Sequence, residues 1–258
     1  MSNAVNNSDL VGKKVFFLHP TAVVQNRIID ELVKQEYEIY IARDKDTLRR
    51  VLRKYPDSII FVDINEKLPE KEWEVWIRAV MEAPDTKEVS IGIITANDDE
   101  NIKRKYLQNL KVKCGYTVLK FELDKAIKQI YDVLNTAGAK GRRKFLRATT
   151  NNEPNATLNL PLHGIYVKGQ IKDISVVGLS CTIEGNPDFR KNALFNDIQV
   201  KLQSTLLKVE GIVFGSRMDG NQKIYVFIFS QRVDPEVRNK IRKFIQNNMQ
   251  SKMDFELK

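Results

Sequence analysis

The spacing of hydrophobic residues changes near the middle of the chain. In the first part, short runs of apolar and β-branched residues predict five strands, at 13–20, 37–44, 58–65, 89–98 and 115–121. The segments between these runs place apolar residues three and four apart, as amphipathic helices do, and the clearest covers 123–134. Strands that alternate with helices predict an α/β fold, a doubly wound parallel sheet covered on both faces.

A second pattern begins after residue 150. Six strand-like runs follow one another, separated by Gly, Asn, Pro and Asp, at 156–169, 170–175, 178–185, 197–203, 206–217 and 222–231. Consecutive strands without intervening helices predict a small antiparallel six-stranded β-barrel. A C-terminal helix is predicted to follow, with Asp234 as its N-cap and Pro235 at its first position. Its apolar stripe consists of Val237, Ile241, Phe244 and Ile245.

These two patterns divide the chain into four predicted parts. They are a disordered N-terminal tail at 1–12, an α/β domain at 13–134, a linker at 135–150, and a β-barrel domain with its helix at 151–258. The linker contains small residues and glycines, as linkers do, but its arginine density is higher than a linker needs.

Composition narrows the class of protein. Of the 258 residues 42% are hydrophobic, which is enough for two cores, and no apolar run is long enough to span a membrane. The N-terminus has neither the basic start nor the apolar run of a secretory signal, so we expect a cytoplasmic protein without membrane insertion. Cys114 and Cys181 stand far apart in apolar surroundings, which indicates buried free thiols in a reducing compartment.

The net charge of +9 lies in the second part of the chain. Residues 1–134 carry 22 basic and 22 acidic side chains, whereas residues 135–258 carry 20 basic and 11 acidic ones. An anionic partner is therefore expected for the second part, although charge alone does not choose between nucleic acid, nucleotide and membrane.

Two short motifs in the second part carry the candidate chemistry. The stretch GRRKFLRATT at 141–150 contains an R-x-x-x-R pair, Arg143 and Arg147, with Arg142 as a basic neighbour. The stretch DISVVG at 173–178 contains D-x-S-x-x-G, whose Asp173, Ser175 and Gly178 lie at the end of a predicted strand. Guanidinium groups bind phosphates and guanine edges, and a carboxylate accepts hydrogen bonds from the N1–H and exocyclic amine of guanine. Together these residues describe a site for guanine and phosphate.

At these residues the chain resembles the PilZ family of bacterial cyclic di-GMP receptors, over roughly residues 140–250. The family pattern is R-x-x-x-R ahead of a six-stranded barrel, followed some 20–30 residues later by D/N-x-S-x-x-G. The resemblance implies that Arg143 and Arg147 wrap the guanines and phosphates, with Arg142 as a helper. It also implies that Asp173, Ser175 and Gly178 hold the ligand against the barrel. A departure from the pattern is the long polar insert TTNNEPNATL, which follows Arg147.

Other readings of these motifs stay open. A basic linker is often merely solvated, D-x-S-x-x-G is often only a strand-to-turn transition, and some family members keep the barrel without binding the nucleotide. Nucleic acid is an alternative ligand for the basic part, but aromatic residues do not interleave with the basic ones as on an RNA-stacking sheet.

The first part resembles the receiver domain of response regulators. Asp63 ends the third predicted strand where the phospho-accepting aspartate of a receiver stands, while Thr95 and Lys120 end the fourth and fifth. Phosphorylation at Asp63 is therefore a further alternative for the regulation of this chain. A receiver also holds Mg²⁺ with an acidic pair after its first strand, where this chain has His19 and Pro20.

We therefore expect a degenerate receiver-like, or merely flavodoxin-like, scaffold. In that case Thr95 and Lys120 are surface residues, Asp63 is a turn carboxylate, and Trp73 and Trp76 pack in the core or at an interface.

The sequence gives no positive reason to predict an enzyme. His19, His163 and the two cysteines have no metal-ligand spacing, so no metal is expected, and no nucleophile–base arrangement can be proposed. The leading hypothesis is a cyclic di-GMP-binding signalling protein that needs no cofactor. Ligand capture is expected to change contacts between its two domains or with an unidentified downstream protein.

Overall fold

A computed structural model describes residues 12–120, 123–150 and 153–256. The chain divides into two compact units, the first containing residues up to Lys144 together with the chain from Gln250 onward, the second Phe145–Met249. The division between Lys144 and Phe145 lies within the predicted linker. Residues 1–11 of the predicted tail lie outside the described residues.

The first unit contains a five-stranded parallel sheet. Its strands are β1 (Val15–Leu18), β2 (Ile39–Ala42), β3 (Ile59–Asp63), β4 (Ser90–Thr95) and β5 (Tyr116–Val118), in the order β2-β1-β3-β4-β5. Every residue of β1 and β3 is buried, as expected of central strands covered on both faces. The predicted doubly wound α/β fold is confirmed.

Five helical segments connect or follow these strands. α1 begins as a π-helix (Val24–Ile29) and continues as an α-helix (Asp30–Lys34). α2 (Lys45–Lys54), α3 (Glu70–Glu82), α4 (Glu100–Arg104, followed by a π-helical turn, Lys105–Asn109) and α5 (Leu123–Thr136) follow. Trp73 and Trp76 of α3 are buried and meet edge to face, with ring centroids 5.9 Å apart, which confirms their predicted packing role.

The second unit is a closed antiparallel barrel. Its strands are β6 (Ala148–Thr149), β7 (Ala156–Leu162), β8 (Ile165–Ser175), β9 (Gly178–Ile183), β10 (Leu194–Leu202), β11 (Thr205–Asp219) and β12 (Gln222–Phe229). Six strands, β7 to β12, close the barrel because β8 pairs with both β7 and β9. The short β6 pairs with the last part of β8, through Ala148 with Ile174 and Thr149 with Asp173.

The predicted barrel is confirmed, but one strand boundary is wrong. The sequence pattern joined 156–169 into one strand and separated 170–175, whereas the chain turns at His163 and Gly164 and β8 runs unbroken from Ile165 to Ser175. Both turn residues have positive φ, 49° and 85°, as a two-residue hairpin with the twist of its strands requires. The apolar residues on both sides hid this turn from a periodicity argument.

The closing helix α6 (Pro235–Glu256) begins as predicted. The Asp234 carboxylate accepts a hydrogen bond from the backbone N–H of Glu236 at 2.7 Å, which satisfies one of the free donors of the first turn. The four residues of the predicted stripe pack on the barrel core: Val237, Ile241, Phe244 and Ile245. The helix extends to Glu256. No helix among residues 12–120, 123–150 and 153–256 is long and apolar enough to cross a membrane.

Candidate functional site

The arginine segment, residues 141–147, crosses from the first unit to the second. Residues at each end of it pack in the unit to which they belong. Before it, Ala139 is buried in the first unit, its carbonyl accepts from the N–H of Lys13 at 2.9 Å, and the Lys140 ammonium lies 4.7 Å from the ring centroid of Tyr37. Within it, Phe145 and Leu146 pack against the barrel core. The chain is therefore packed in the first unit before residues 141–144 and in the second unit after them.

Arg142 and Arg143 lie in the part of this segment that belongs to the first unit, and both are exposed. Arg147 belongs to the second unit and directly precedes β6. The pairing of β6 with the end of β8 carries Arg147 toward the D-x-S-x-x-G residues. The two arginines of the R-x-x-x-R pair therefore belong to different units.

Arg147 and Asp173 meet on the surface of the barrel. Arg147 Nη1 donates to Asp173 Oδ1 at 3.5 Å, and these side chains are 51% and 28% exposed. The other carboxylate oxygen of Asp173 accepts from the hydroxyl of Ser180, the residue paired with Asp173 on β9. One carboxylate therefore joins the arginine segment to two strands of the barrel.

Sequence reasoning missed Ser180 and the bulge that aims Asp173. Between Ile171 and Asp173 the β8–β9 register gains one residue on β8, which is a β-bulge. Bulges redirect side chains, and this one places the Asp173 carboxylate within reach of Ser180. Ser180 could have been found from the register of the two antiparallel strands. If Ser175 pairs with Gly178 across a tight turn, then Ser180 lies opposite Asp173.

Ser175 and Gly178 form the turn between β8 and β9. Ser175 is 3% exposed, and its hydroxyl donates to the Gly178 carbonyl at 3.2 Å and accepts from the Val177 N–H at 3.4 Å. A Cβ on Gly178 would lie 2.3 Å from the Phe227 carbonyl oxygen, so the glycine permits the close approach of β9 and β12. The φ angle of Gly178 is not positive, so the close approach is the structural reason for a glycine here.

The carboxyl edge of the first sheet brings Asp63 close to Asn65 and Thr95. Asp63 is buried, one of its oxygens accepts from the N–H of Asn65 at 3.2 Å, and the other has no partner among the described residues. Burial raises the pKa of Asp63 to about 6. The predicted role of a turn carboxylate is confirmed by the bond to Asn65.

Thr95 is fully buried, so the prediction that it is a surface residue is wrong. Its hydroxyl donates to the side-chain oxygen of Asn65 at 2.7 Å and accepts from the Asn97 N–H at 2.9 Å. The same Asn65 oxygen accepts from the Ala96 N–H. Asn65, which the sequence did not single out, thus joins the ends of β3 and β4 and accepts the hydrogen bond of the buried Thr95 hydroxyl. Lys120 is exposed, as predicted.

The side chains around Asp63 do not fit a Mg²⁺ site. His19 lies where a receiver has carboxylates, and its ring packs against Trp73 with centroids 5.8 Å apart. Burial, and then the nearby charge of Lys67, lowers the pKa of His19. Among the described residues no group of three or more His, Cys, Asp or Glu side chains is placed to hold a metal. An imidazole against an indole is a poor substitute for the oxygen ligands that Mg²⁺ prefers.

Comparison with known proteins identifies the family of the domain in the second unit. Residues 141–247 match the PilZ domain family, and no curated protein matches the chain. Among solved structures, the PilZ domain with c-di-GMP of YcgR from Escherichia coli is 16% identical over 44% of this chain and 96% of that chain, with a TM-score of 0.38. The K. pneumonia MrkH–c-di-GMP complex is also 16% identical, over 45% of this chain and 57% of that chain, with a TM-score of 0.40. The chain therefore spans little more than half of MrkH.

The first unit has a match of its own. The Mn²⁺-bound form of response regulator Rcp1 is 20% identical over 48% of this chain and 92% of that chain, with a TM-score of 0.38. The strand order β2-β1-β3-β4-β5, taken from the sheet itself, is the order of receiver domains. The chain thus combines a receiver-like unit with a PilZ domain, as the two resemblances implied.

The role of Gly178 can be tested by adding one methyl group. Gly178→Ala places a Cβ against the Phe227 carbonyl, so we expect the free energy of unfolding to fall by about 1–3 kcal/mol, the cost of overpacking. Gly215→Ala is the matched control, because its Cβ meets nothing within 4 Å. Urea denaturation of both variants measures the difference. Equal stabilities would contradict the close-approach explanation.

The buried Asp63 predicts a pH-dependent stability. Its pKa is about 6 in the folded chain, above its ordinary value, so folding favours the protonated carboxyl. This contribution is fully present below about pH 4 and is lost as the pH rises to about 6, a change of about 3 kcal/mol for a two-unit shift. We expect Asp63→Asn to flatten this part of the stability–pH curve in denaturation experiments. Exposed Asp98→Asn is the control, and parallel curves for all three proteins would refute the assignment.

The mismatch at the Mg²⁺ position predicts that Asp63 does not accept phosphate. We expect intact mass spectra to stay unchanged after incubation with acetyl phosphate and Mg²⁺, because the acidic pair that would hold the ion is missing near His19. A phosphate adduct that disappears in Asp63→Asn would show this prediction to be wrong.

Proposed function

We propose that this chain, which carries a PilZ domain at residues 141–247, is a signalling protein that binds cyclic di-GMP and has no catalytic activity of its own. The single observation that supports the ligand site most directly is the contact between Arg147 and Asp173. It joins the last residue of the R-x-x-x-R motif to the first residue of D-x-S-x-x-G, although 26 positions separate them along the chain.

The chemistry of this pair suits a guanine nucleotide. A guanidinium donates to guanine O6 and N7 or to phosphate oxygens, and a carboxylate accepts from N1–H and the exocyclic amine. The Arg147–Asp173 contact is long and partly exposed, so its contribution to stability is small and a ligand can replace it at little cost. Arg142 and Arg143, both exposed, supply further cations for the two phosphates.

Ser175 and Gly178 have a different part in this proposal. The Ser175 hydroxyl is engaged within the turn and Gly178 keeps β9 close to β12. We propose that both residues support the ligand mainly by fixing the backbone beside Asp173, because a site held in place before binding loses less conformational entropy. The downstream effect that we propose is a change in the contacts of the domain with the rest of the chain or with a protein partner.

The proposal predicts selective binding of cyclic di-GMP. Parallel calorimetric titrations of the full chain with cyclic di-GMP, GTP and a single-stranded oligonucleotide should show binding of the first alone. Arg143→Ala and Arg147→Ala should each weaken it by about 1.5–3 kcal/mol, the range for charge-assisted hydrogen bonds. Arg217→Ala removes an exposed arginine from the β11–β12 hairpin and serves as the charge-matched control.

Two outcomes would overturn the proposal. Full affinity in the Arg143→Ala, Arg147→Ala double variant would show that these arginines do not bind the ligand. Binding of the oligonucleotide with a strong salt dependence, and no binding of cyclic di-GMP, would favour the nucleic-acid alternative instead.

A further inference from the structure

Arg238, in the first turn of α6, reaches across to the turn between β8 and β9. Its Nη1 donates to the carbonyl of Val176 at 2.7 Å, and its Nη2 donates to the carbonyl of Ser230 at 2.7 Å. Val176 is buried in the barrel core, and Ser230 directly follows β12. One guanidinium therefore holds two backbone segments and helix α6 together within the second unit.

The position of this arginine is set by the helix cap. Asp234 accepts from the N–H of Glu236 through its carboxylate and from the N–H of Arg238, at 3.1 Å, through its carbonyl. A cation so close to a helix N-terminus is opposed by the helix dipole. The two charge-assisted hydrogen bonds to carbonyls offset this cost, and they require the planar fork of arginine, because a lysine offers one nitrogen only.

Different interactions hold several backbone groups of the turn at 175–178. The Ser175 hydroxyl bridges Gly178 and Val177, and the Val177 carbonyl accepts from the Phe229 N–H at 2.9 Å. The Val176 carbonyl is held by Arg238. This last contact is made by a side chain from outside the barrel strands, so it can be removed without deleting any residue of the D-x-S-x-x-G motif.

We infer that Arg238 is a positioning residue for the ligand site. It orders the 175–178 turn before the ligand arrives and thereby fixes the end of β8 that presents Asp173. This inference rests on the proposed binding of cyclic di-GMP. Without Arg238 the ligand must order the turn itself, and ordering one residue costs enough to weaken binding roughly tenfold.

The experiment compares Arg238→Ala and Arg238→Lys with Lys240→Ala in the full chain. Lys240 is the matched control, because it is an exposed cation of the same helix that pairs with Glu236 at 2.9 Å. Calorimetry with cyclic di-GMP should show about tenfold weaker binding for Arg238→Ala, a smaller loss for Arg238→Lys, and a change within about twofold for Lys240→Ala.

Hydrogen exchange of the backbone amides separates positioning from loss of fold. In the ligand-free Arg238→Ala variant, the amides of 176–178 should exchange faster while those of the β10–β11 hairpin keep their protection. Saturating cyclic di-GMP should restore the protection of the turn.

Each result decides one question. Unchanged exchange at 176–178 in ligand-free Arg238→Ala overturns the positioning role, whether or not the ligand binds. Unchanged affinity in Arg238→Ala, with normal binding by the parent chain, also overturns it. Absence of binding by the parent chain refutes the proposed function, while the exchange data still test the contact. If Arg238→Ala is unfolded, Arg238→Lys supplies the same comparison.

Discussion

The pairing of β9 with both β8 and β12 closes the barrel, and the candidate site depends on this closure. β9 begins at Gly178, where a side chain would collide with the backbone of Phe227. Ser175 pairs with Gly178 across a tight turn, and its hydroxyl forms hydrogen bonds within that turn. The same closure sets Ser180 opposite Asp173, so the carboxylate is held by the barrel before any ligand binds.

The hydrogen bonding of polar groups at the candidate sites differs between the two units. In the barrel the polar groups around the turn are paired with one another, and the exposed part of Asp173 meets Arg147. In the receiver-like unit Asp63 is buried with an unpaired oxygen among the described residues, and Asn65 and Thr95 are bonded to each other. The receiver-like unit has His19 and Pro20, and no acidic pair, directly after β1.

The periodicity of apolar residues predicted the fold, because the burial of one or both faces of a strand determines which of its positions are apolar. It identified both sheets and the stripe of α6, which begins with Val237. It failed at His163, where apolar neighbours mask a turn, and at Thr95, whose burial depends on a partner, Asn65, that is 30 positions away. The bulge beside Asp173 could not be predicted either, because a one-residue change of register does not alter the pattern of apolar and polar residues.

The sequence also could not predict how each site residue contributes to the site. A motif tells which residues are required, but not which of them touch the ligand and which hold the backbone. Ser175 has a hydroxyl that could bind a nucleotide, yet at 3% exposure both of its hydrogen-bonding functions are used within the turn. Arg238 has no place in either motif, yet it binds the carbonyl of Val176 inside one of them. Contacts between distant residues therefore determine how the motif works, and only the three-dimensional structure supplies them.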